Sequence, residues 1–265
     1  MNLYELFGTR KPILGMVHLG ALPGTPGFRG DFPDILNKAI SDAAALEQAG
    51  FDGVIVENFN DIPYEIEGGN VQRAVCMAIA TSRVSRAVAI PVGVNIQWND
   101  YEAENAVATW AGGSFIRVEV FVDSVLTPSG PVYGCSDKLQ RIRAKTIGAS
   151  PPLVLADVAV KESIPLKEVN PADTASIAFD AGAHGVIITG AETGKSTPLD
   201  TVRSVKERVA GPVVVGSGVN GETISEVMRV ADGCIIGTAT KLGGKVDSPV
   251  DVNAARALVE TGKPE

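Results

Sequence analysis

Eight short runs rich in valine and isoleucine recur along this 265-residue chain with alanine-rich amphipathic stretches between them, and that alternation restricts the fold more than any other feature. The runs are Ile13–Val17, Gly53–Glu57, Val92–Ile96, Phe115–Val120, Leu153–Asp157, Gly185–Thr189, Val213–Gly216 and Gly233–Gly237. A strand buried on both faces reads as near-continuous apolar sequence, and parallel neighbours need a crossover long enough for a helix. One such crossover, Asp34–Ala49, sets Ile35, Ala39, Ala43, Leu46 and Ala49 three or four residues apart ahead of Gly50, a stop signal. Gly182 and Gly211 end two more, and AGFDG (49–53), AGAHG (181–185) and VADGC (230–234) each mark a helix end turning into the next strand. Those turns are short, whereas the segments at the opposite strand ends, 20–32, 58–70, 121–135, 158–170 and 190–197, read as longer loops. An open doubly wound sheet also alternates strand and helix, but eight units with long loops at the C-terminal strand ends favour an α/β architecture of the (β/α)8, or TIM, barrel type. With 45% apolar residues, one domain spanning 1–265 buries a sufficient core.

The last two strands run into small-residue turns, VVVGSGVN (213–220) and CIIGTAT (234–240). Residues this small let backbone N–H groups approach an anion, and a helix N-terminus behind each turn adds partial positive charge. Two such turns in succession after strands 7 and 8 are how a (β/α)8 barrel holds a phosphate. Gly216, Ser217, Gly218, Gly237, Thr238 and Ala239 are the expected phosphate cup.

Residues at C-terminal strand ends face a barrel's mouth, so polar ones there are candidates for chemistry. They are His18, Glu57, Asn58, Asn95, Arg117, Glu119, Asp157 and Thr189. Alternation along each strand leaves open whether Glu57, Asn95, Glu119 and Asp157 all point inward. Three carboxylates in one mouth repel and resist desolvation, which prepares at least one for acid–base work. The competing reading is a structural network with Arg117 or Lys161. Lys161, four residues past Asp157, suits an electrostatic role better than a Schiff base, which more usually sits on the strand itself. Glu57, Glu119, Asp157, Lys161 and His18 form the expected catalytic set, with Asn58, Asn95 and Thr189 joining the cup in binding. The competing reading of His18 is a hydrogen-bonder that orients its loop; His184 reads as structural at the opposite face. A divalent metal held by His18 with the carboxylates is a weaker alternative, because no HxH or HExxH spacing supports it, and no cofactor is firmly implied.

GAETGKST (190–197) imitates a Walker A loop but carries three residues between its glycines where that motif needs four. Pro198 behind Thr197 reads as the first residue of the next helix behind a threonine cap. A polar loop over the mouth is the better reading, with Lys195 near a substrate phosphate. A net charge of −8 argues against nucleic acid or an anionic membrane surface as a general partner. Cys76, Cys135 and Cys234 share no CxxC spacing and read as core thiols of a reducing compartment. The N-terminus carries no hydrophobic signal core and no long apolar run follows, so the expectation is a cytoplasmic protein with no integral membrane segment, open to self-association.

KPILGMVHLGALPGTPG (11–27), GFDGVIVENFNDIPY (50–64), PVGVNIQWNDYEA (91–103), FIRVEVF (115–121), LADVAVKES (155–163), GVIITGAETG (185–194), PVVVGSGVN (212–220) and ADGCIIGTATK (231–241) together resemble the BtpA/SgcQ family over nearly the whole chain. The resemblance implies a phosphate-binding (β/α)8 barrel. Its motif positions fall on His18, Glu57, Asn58, Asp61, Asn95, Asp157, Lys161, Thr189, Gly216, Ser217, Gly218, Gly237 and Thr238. The chain departs where the family's RVNVF has Glu119, where a histidine commonly follows the lysine and Glu162 stands here, and where NPVD is Ser248-Pro249-Val250-Asp251. The expected function is acid–base chemistry, by an isomerase, epimerase or aldolase/lyase, on a small phosphorylated sugar or nucleoside-derived metabolite. The alternative the family name implies is a non-catalytic assembly or regulatory factor of photosystem I biogenesis.

Overall fold

The computed structural model describes residues 1–66, 68–190 and 197–263. Its strands in chain order are β1 (Ile13–His18), β2 (Gly53–Glu57), β3 (Val92–Asn95), β4 (Phe115–Val118), β5 (Ser124–Thr127), β6 (Gly130–Tyr133), β7 (Leu153–Val158), β8 (Ile164–Pro165), β9 (Gly185–Ile188), β10 (Val213–Val215) and β11 (Cys234–Ile236). Eight of them close a parallel barrel in the order β1-β2-β3-β4-β7-β9-β10-β11, with β11 back against β1. These are the eight apolar runs of the sequence. Helices α2 (Phe32–Gln48), α3 (Val71–Ala87), α4 (Tyr101–Ala111), α5 (Ser136–Ala144), α6 (Pro171–Asp180), α7 (Leu199–Arg208), α8 (Ile224–Val230) and α9 (Val252–Gly262) follow the barrel strands. Side chains such as Val17, Val56, Val94 and Val154 pack outward beneath the helices in the larger apolar cluster.

The alternate positions fill the barrel. Leu14, Ile55, Phe115, Leu155, Ile187 and Val214 form an interior cluster that a short first helix, α1 (Leu3–Phe7), closes from below with Leu3 and Phe7. A five-residue helix is marginal by itself, but a capping box holds this one: Asn2 Oδ1 accepts from the Glu5 N–H and Glu5 Oε2 accepts from the Asn2 N–H. The Phe7 ring meets Phe115 edge-on at 5.4 Å. Gly93 makes room for that layer, since a Cβ there would lie 2.3 Å from the Phe115 ring.

Three features differ from the sequence expectation. Segments 121–135 and 158–170 are not plain loops: β5 pairs antiparallel with β6 and β8, and Val125 and Val132 pack with Trp98, Val120 and Val160 at the mouth. The alternation within each of these strands is too short to rise above loop composition. Pro198 is the cap residue of α7 and not its first residue, and the Thr197 hydroxyl donates instead to the Ser217 carbonyl at 3.3 Å. The β10 turn does not open a helix directly, because α8 begins only at Ile224 and Asn220 Oδ1 accepts from the Glu222 and Thr223 N–H groups before it. His184 accepts the Val154 N–H at the opposite face through Nδ1, and the three cysteines are free and buried. Among the described residues, no helix is long and apolar enough to cross a membrane. The expected Walker-like loop and its Lys195 fall on 191–196, outside the described residues.

Candidate functional site

Parallel register sets the site in one layer. His18 lies beside Glu57, and Glu57 beside Asn95. The apolar inward positions two residues earlier fix the same parity for the polar ones, so period-2 alternation delivers His18, Glu57, Asn95, Arg117 and Asp157 to the mouth of the barrel. All five are buried, as is Glu119 just past β4.

Two lobes of about 270 Å³ each open at this end and share Phe59, Arg117 and Lys161. His18, Glu57 and the β10 and β11 turns line the first, from Gly216 to Asn220 and from Gly237 to Ala239. Gln97, Trp98, Tyr64, Glu119 and Asp157 line the second. Asn58, Asn95 and Thr189, grouped with the binding residues on sequence grounds, stand behind this lining. Asn58 donates to Asp61 Oδ2 at 3.0 Å and accepts the Gln97 N–H, while Asp61 Oδ1 accepts the Leu22 N–H at 2.7 Å. Those bonds lock the loops after β1, β2 and β3 together. Thr189 donates to the Ala159 carbonyl at 2.8 Å. Ala159 and Glu162 sit on either side of Lys161 with φ of 57° and 55°, a conformation that costs non-glycine residues on the order of 1 kcal/mol each.

Arg117 is the hub of the mouth. Its Nε and Nη2 donate to Asp157 Oδ1 and Oδ2 at 3.0 and 2.8 Å, and Nη1 stands 3.8 Å from Glu57 Oε2. Burial opposes the charge, but Asp157 overrides it and raises the guanidinium's pKa above its ordinary value. Asp157 is therefore held in a buried ion pair with Arg117. Glu57 Oε1 accepts from the Gln97 amide at 2.5 Å, and burial raises its pKa although Arg117 pulls the other way. Burial raises Glu119 to about 7, with Arg117 opposing and Asp157 reinforcing the shift. Glu119 Oε1 accepts from Asn95 Nδ2 at 2.7 Å, and its Oε2 has no partner among the described residues. His18 rests on Phe59 at 4.5 Å; burial, then Lys241 and Lys161, hold its pKa well below the usual imidazole value, so the ring is neutral.

In the turns the glycines do separate jobs. A Cβ on Gly216 would fall 2.4 Å from Ile187 Cγ2, so this residue is small for packing, and its N–H is already bound to the Ile188 carbonyl at 2.9 Å. Gly218 takes φ of 65°, which bends the chain across the lobe. Thr238–Thr240 form one turn of 3-10 helix, whose first N–H groups lack intrahelical acceptors. Among the described residues, no group of three or more His, Cys, Asp or Glu is arranged to hold a metal ion.

Sequence reasoning missed Gln97 and Glu104. Glu104 lies on α4 with Tyr101, Asn105 and Ala108, the spacing of that helix's buried face, which was the available signal.

Fold and cleft define a (β/α)8 barrel with a buried polar site at the C-terminal ends of its strands. The chain belongs to the BtpA family, whose model matches residues 9–263. An uncharacterized protein of Pyrococcus furiosus is 39% identical over 258 residues, 96% of each chain. The photosystem I biogenesis protein BtpA of Synechocystis is 31% identical over 262 residues, covering 98% of this chain and 91% of its own. Among solved structures, (S)-3-O-geranylgeranylglyceryl phosphate synthase of Thermoplasma acidophilum, in complex with sn-glycerol-1-phosphate, superposes with a TM-score of 0.63 at 17% identity over all of both chains. N-(5'-phosphoribosyl)anthranilate isomerase of Pyrococcus furiosus does so with a TM-score of 0.59 at 14% identity, covering 96% of this chain and all of its own.

Proposed function

We propose that this protein is an enzyme that binds a small phosphorylated sugar or nucleoside-derived metabolite and acts on it by proton transfer, in an isomerisation, epimerisation or aldol-type cleavage. The observation that carries this reading is the shared cleft: the small-residue turns after β10 and β11 line one lobe, Glu119 lines the other, and Arg117 and Lys161 join them. A phosphate on the Gly218, Thr238 and Ala239 backbone directs the rest of its substrate toward Glu57 and Glu119. Glu119, at about 7, is matched to give and take a proton near neutrality. Lys161 offsets negative charge that develops on the substrate, and neutral His18 serves as a hydrogen-bonding group beside the cup. Asp157 positions Arg117. The glycerol-phosphate complex of the Thermoplasma synthase, a barrel of the same fold, supports the phosphate assignment.

A second reading, an assembly or regulatory factor, has the 31% identity to the Synechocystis protein in its favour. Thermal-shift titrations with inorganic phosphate, sugar phosphates and nucleoside monophosphates, followed by product analysis on whichever stabilises, separate the two. The enzyme reading expects saturable stabilisation by a phosphorylated ligand, its loss in Ala239→Asp, and turnover that Glu119→Gln abolishes. Stabilisation without turnover favours the regulatory reading, and a flat response to the whole panel rejects the phosphate site.

A further inference from the structure

One buried group takes no part in the cleft. Glu104 comes from α4, is fully buried, and reaches the back of the site where Asn95 stands between it and Glu119. The Asn95 amide nitrogen is 3.2 Å from Glu104 Oε1, 2.7 Å from Glu119 Oε1 and 2.9 Å from the Arg117 carbonyl, three acceptors for two N–H bonds. Turning the Asn95 side chain over would set Oδ1 against those same three acceptors, so chemistry fixes the assignment. Glu104 Oε1 is further held by the Ile96 N–H at 2.6 Å. The second oxygen of each carboxyl has no partner among the described residues. The balance of charge is equally one-sided. Facing the pair are Glu57 from β2, Asp157 from β7, Asp100 at the start of α4 and the neutral Cys135 thiol before α5. The buried cation facing it, Arg117, is already engaged by Asp157 and Glu57, and Asp100 is paired with Arg73. Two adjacent ionised carboxylates here would be desolvated, mutually repelling and short of donors, whereas one added proton removes the repulsion and supplies the donor that is missing.

We propose that Glu104 and Glu119 share a single proton at neutral pH across the Asn95 amide, and that Glu104 is thereby a positioning residue that keeps Glu119 a proton carrier. The sharing stands on the buried geometry alone; its use in turnover rests on the reading given above. Two groups coupled this closely lose their protons in macroscopic steps that belong to the pair.

Carbon-13 NMR of carboxyl-labelled glutamate in the intact protein, assigned with Glu104→Gln and Glu119→Gln, tests it without any substrate. The expected result is one near-neutral step in which both carboxyl carbons move, and in Glu104→Gln a fall of the remaining Glu119 midpoint by a pH unit or more, tenfold in proton affinity. Movement of only one carbon at that step, or an unchanged Glu119 midpoint in Glu104→Gln, overturns the proposal. Should Glu104→Gln fail to fold, the wild-type titration alone decides, with the other glutamates assigned through Glu119→Gln. Because no ligand enters the measurement, a shared proton in a protein that binds no phosphate would refute only the proposed function.

Discussion

Arg117 and Asp157 face each other across β4 and β7 as a bidentate pair, with bonds of 3.0 and 2.8 Å and both residues buried. Planar two-point contact of this kind is the strongest form of guanidinium–carboxylate bonding, and it distinguishes Asp157 from the other carboxylates of the mouth. Asp157→Asn removes the one carboxylate hydrogen-bonded to Arg117 among the described residues and leaves Glu57, at 3.8 Å, and Glu119 as weaker counter-charges. It is expected to lower stability by about 3–5 kcal/mol, because a buried cation is left uncompensated. Glu119→Gln removes a group that resists ionisation and is expected to be neutral or stabilising. Denaturant unfolding of the two variants side by side checks the distinction; equal losses would place Glu119 in the same structural network.

The two ends of the site give stability opposite pH slopes. Glu119 is about 7 in the folded protein against an ordinary value of 4.5, so between those values the folded state keeps a proton that the unfolded chain has lost. Its contribution therefore declines as pH rises from about 4.5 to about 7. His18 is held well below 6.5, so beneath 6.5 the unfolded chain binds a proton that the folded protein refuses, and stability falls as pH drops through that value. Unfolding free energy measured from pH 4 to 8 is expected to lose part of its neutral-side decline in Glu119→Gln and part of its acid-side decline in His18→Asn. Unchanged slopes in both variants would contradict these assignments.

The barrel was legible because parallel strands covered on both faces are continuous apolar runs, and each β–helix–β unit repeats the signal. The mouth was legible because polar residues end the apolar runs, while their inward direction became clear only from the barrel's interior layer, with Leu14 and Ile55 on the same face as His18 and Glu57. What escaped was held by contacts distant in sequence. Arg117 read as one possible partner among several until Asp157, forty residues on, fixed its direction. Glu104 sat on a helix whose charged residues are ordinarily solvated, and its burial is explained by bonds it accepts from outside that helix, from the Asn95 amide and the Ile96 N–H. Helix α1 carries too few residues for periodicity to show, and its place under the barrel depends on the ring of Phe115.

That last contact gives a prediction about the fold alone. Phe7 closes the barrel at the end opposite the cleft, and its ring fills the space that Gly53 leaves and meets the ring of Phe115 edge-on. Phe7→Ala is expected to cost about 3–5 kcal/mol as a cavity forms under the interior layer. Ligand-induced thermal shifts should persist in the variant, since the cleft lies at the other end. A loss of both stability and ligand response would show that α1 supports the mouth as well.

The final prediction concerns the reaction. If Glu119 moves the proton, the rate with the true substrate should follow a macroscopic ionisation near 7, the value to which burial raises this carboxyl. Glu119→Gln should lower kcat by about two to four orders of magnitude, the usual weight of one general acid or base, while changing KM little because its phosphate contacts lie in the other lobe. Lys161→Met should act differently. Lys161 borders both lobes, so its loss weakens ground-state binding of the phosphorylated ligand as well as stabilisation of developing charge, and KM and kcat move together. A Glu119→Gln variant that keeps full kcat with an unaltered pH profile would transfer the proton to Glu57, whose own amide variant should then show the larger loss.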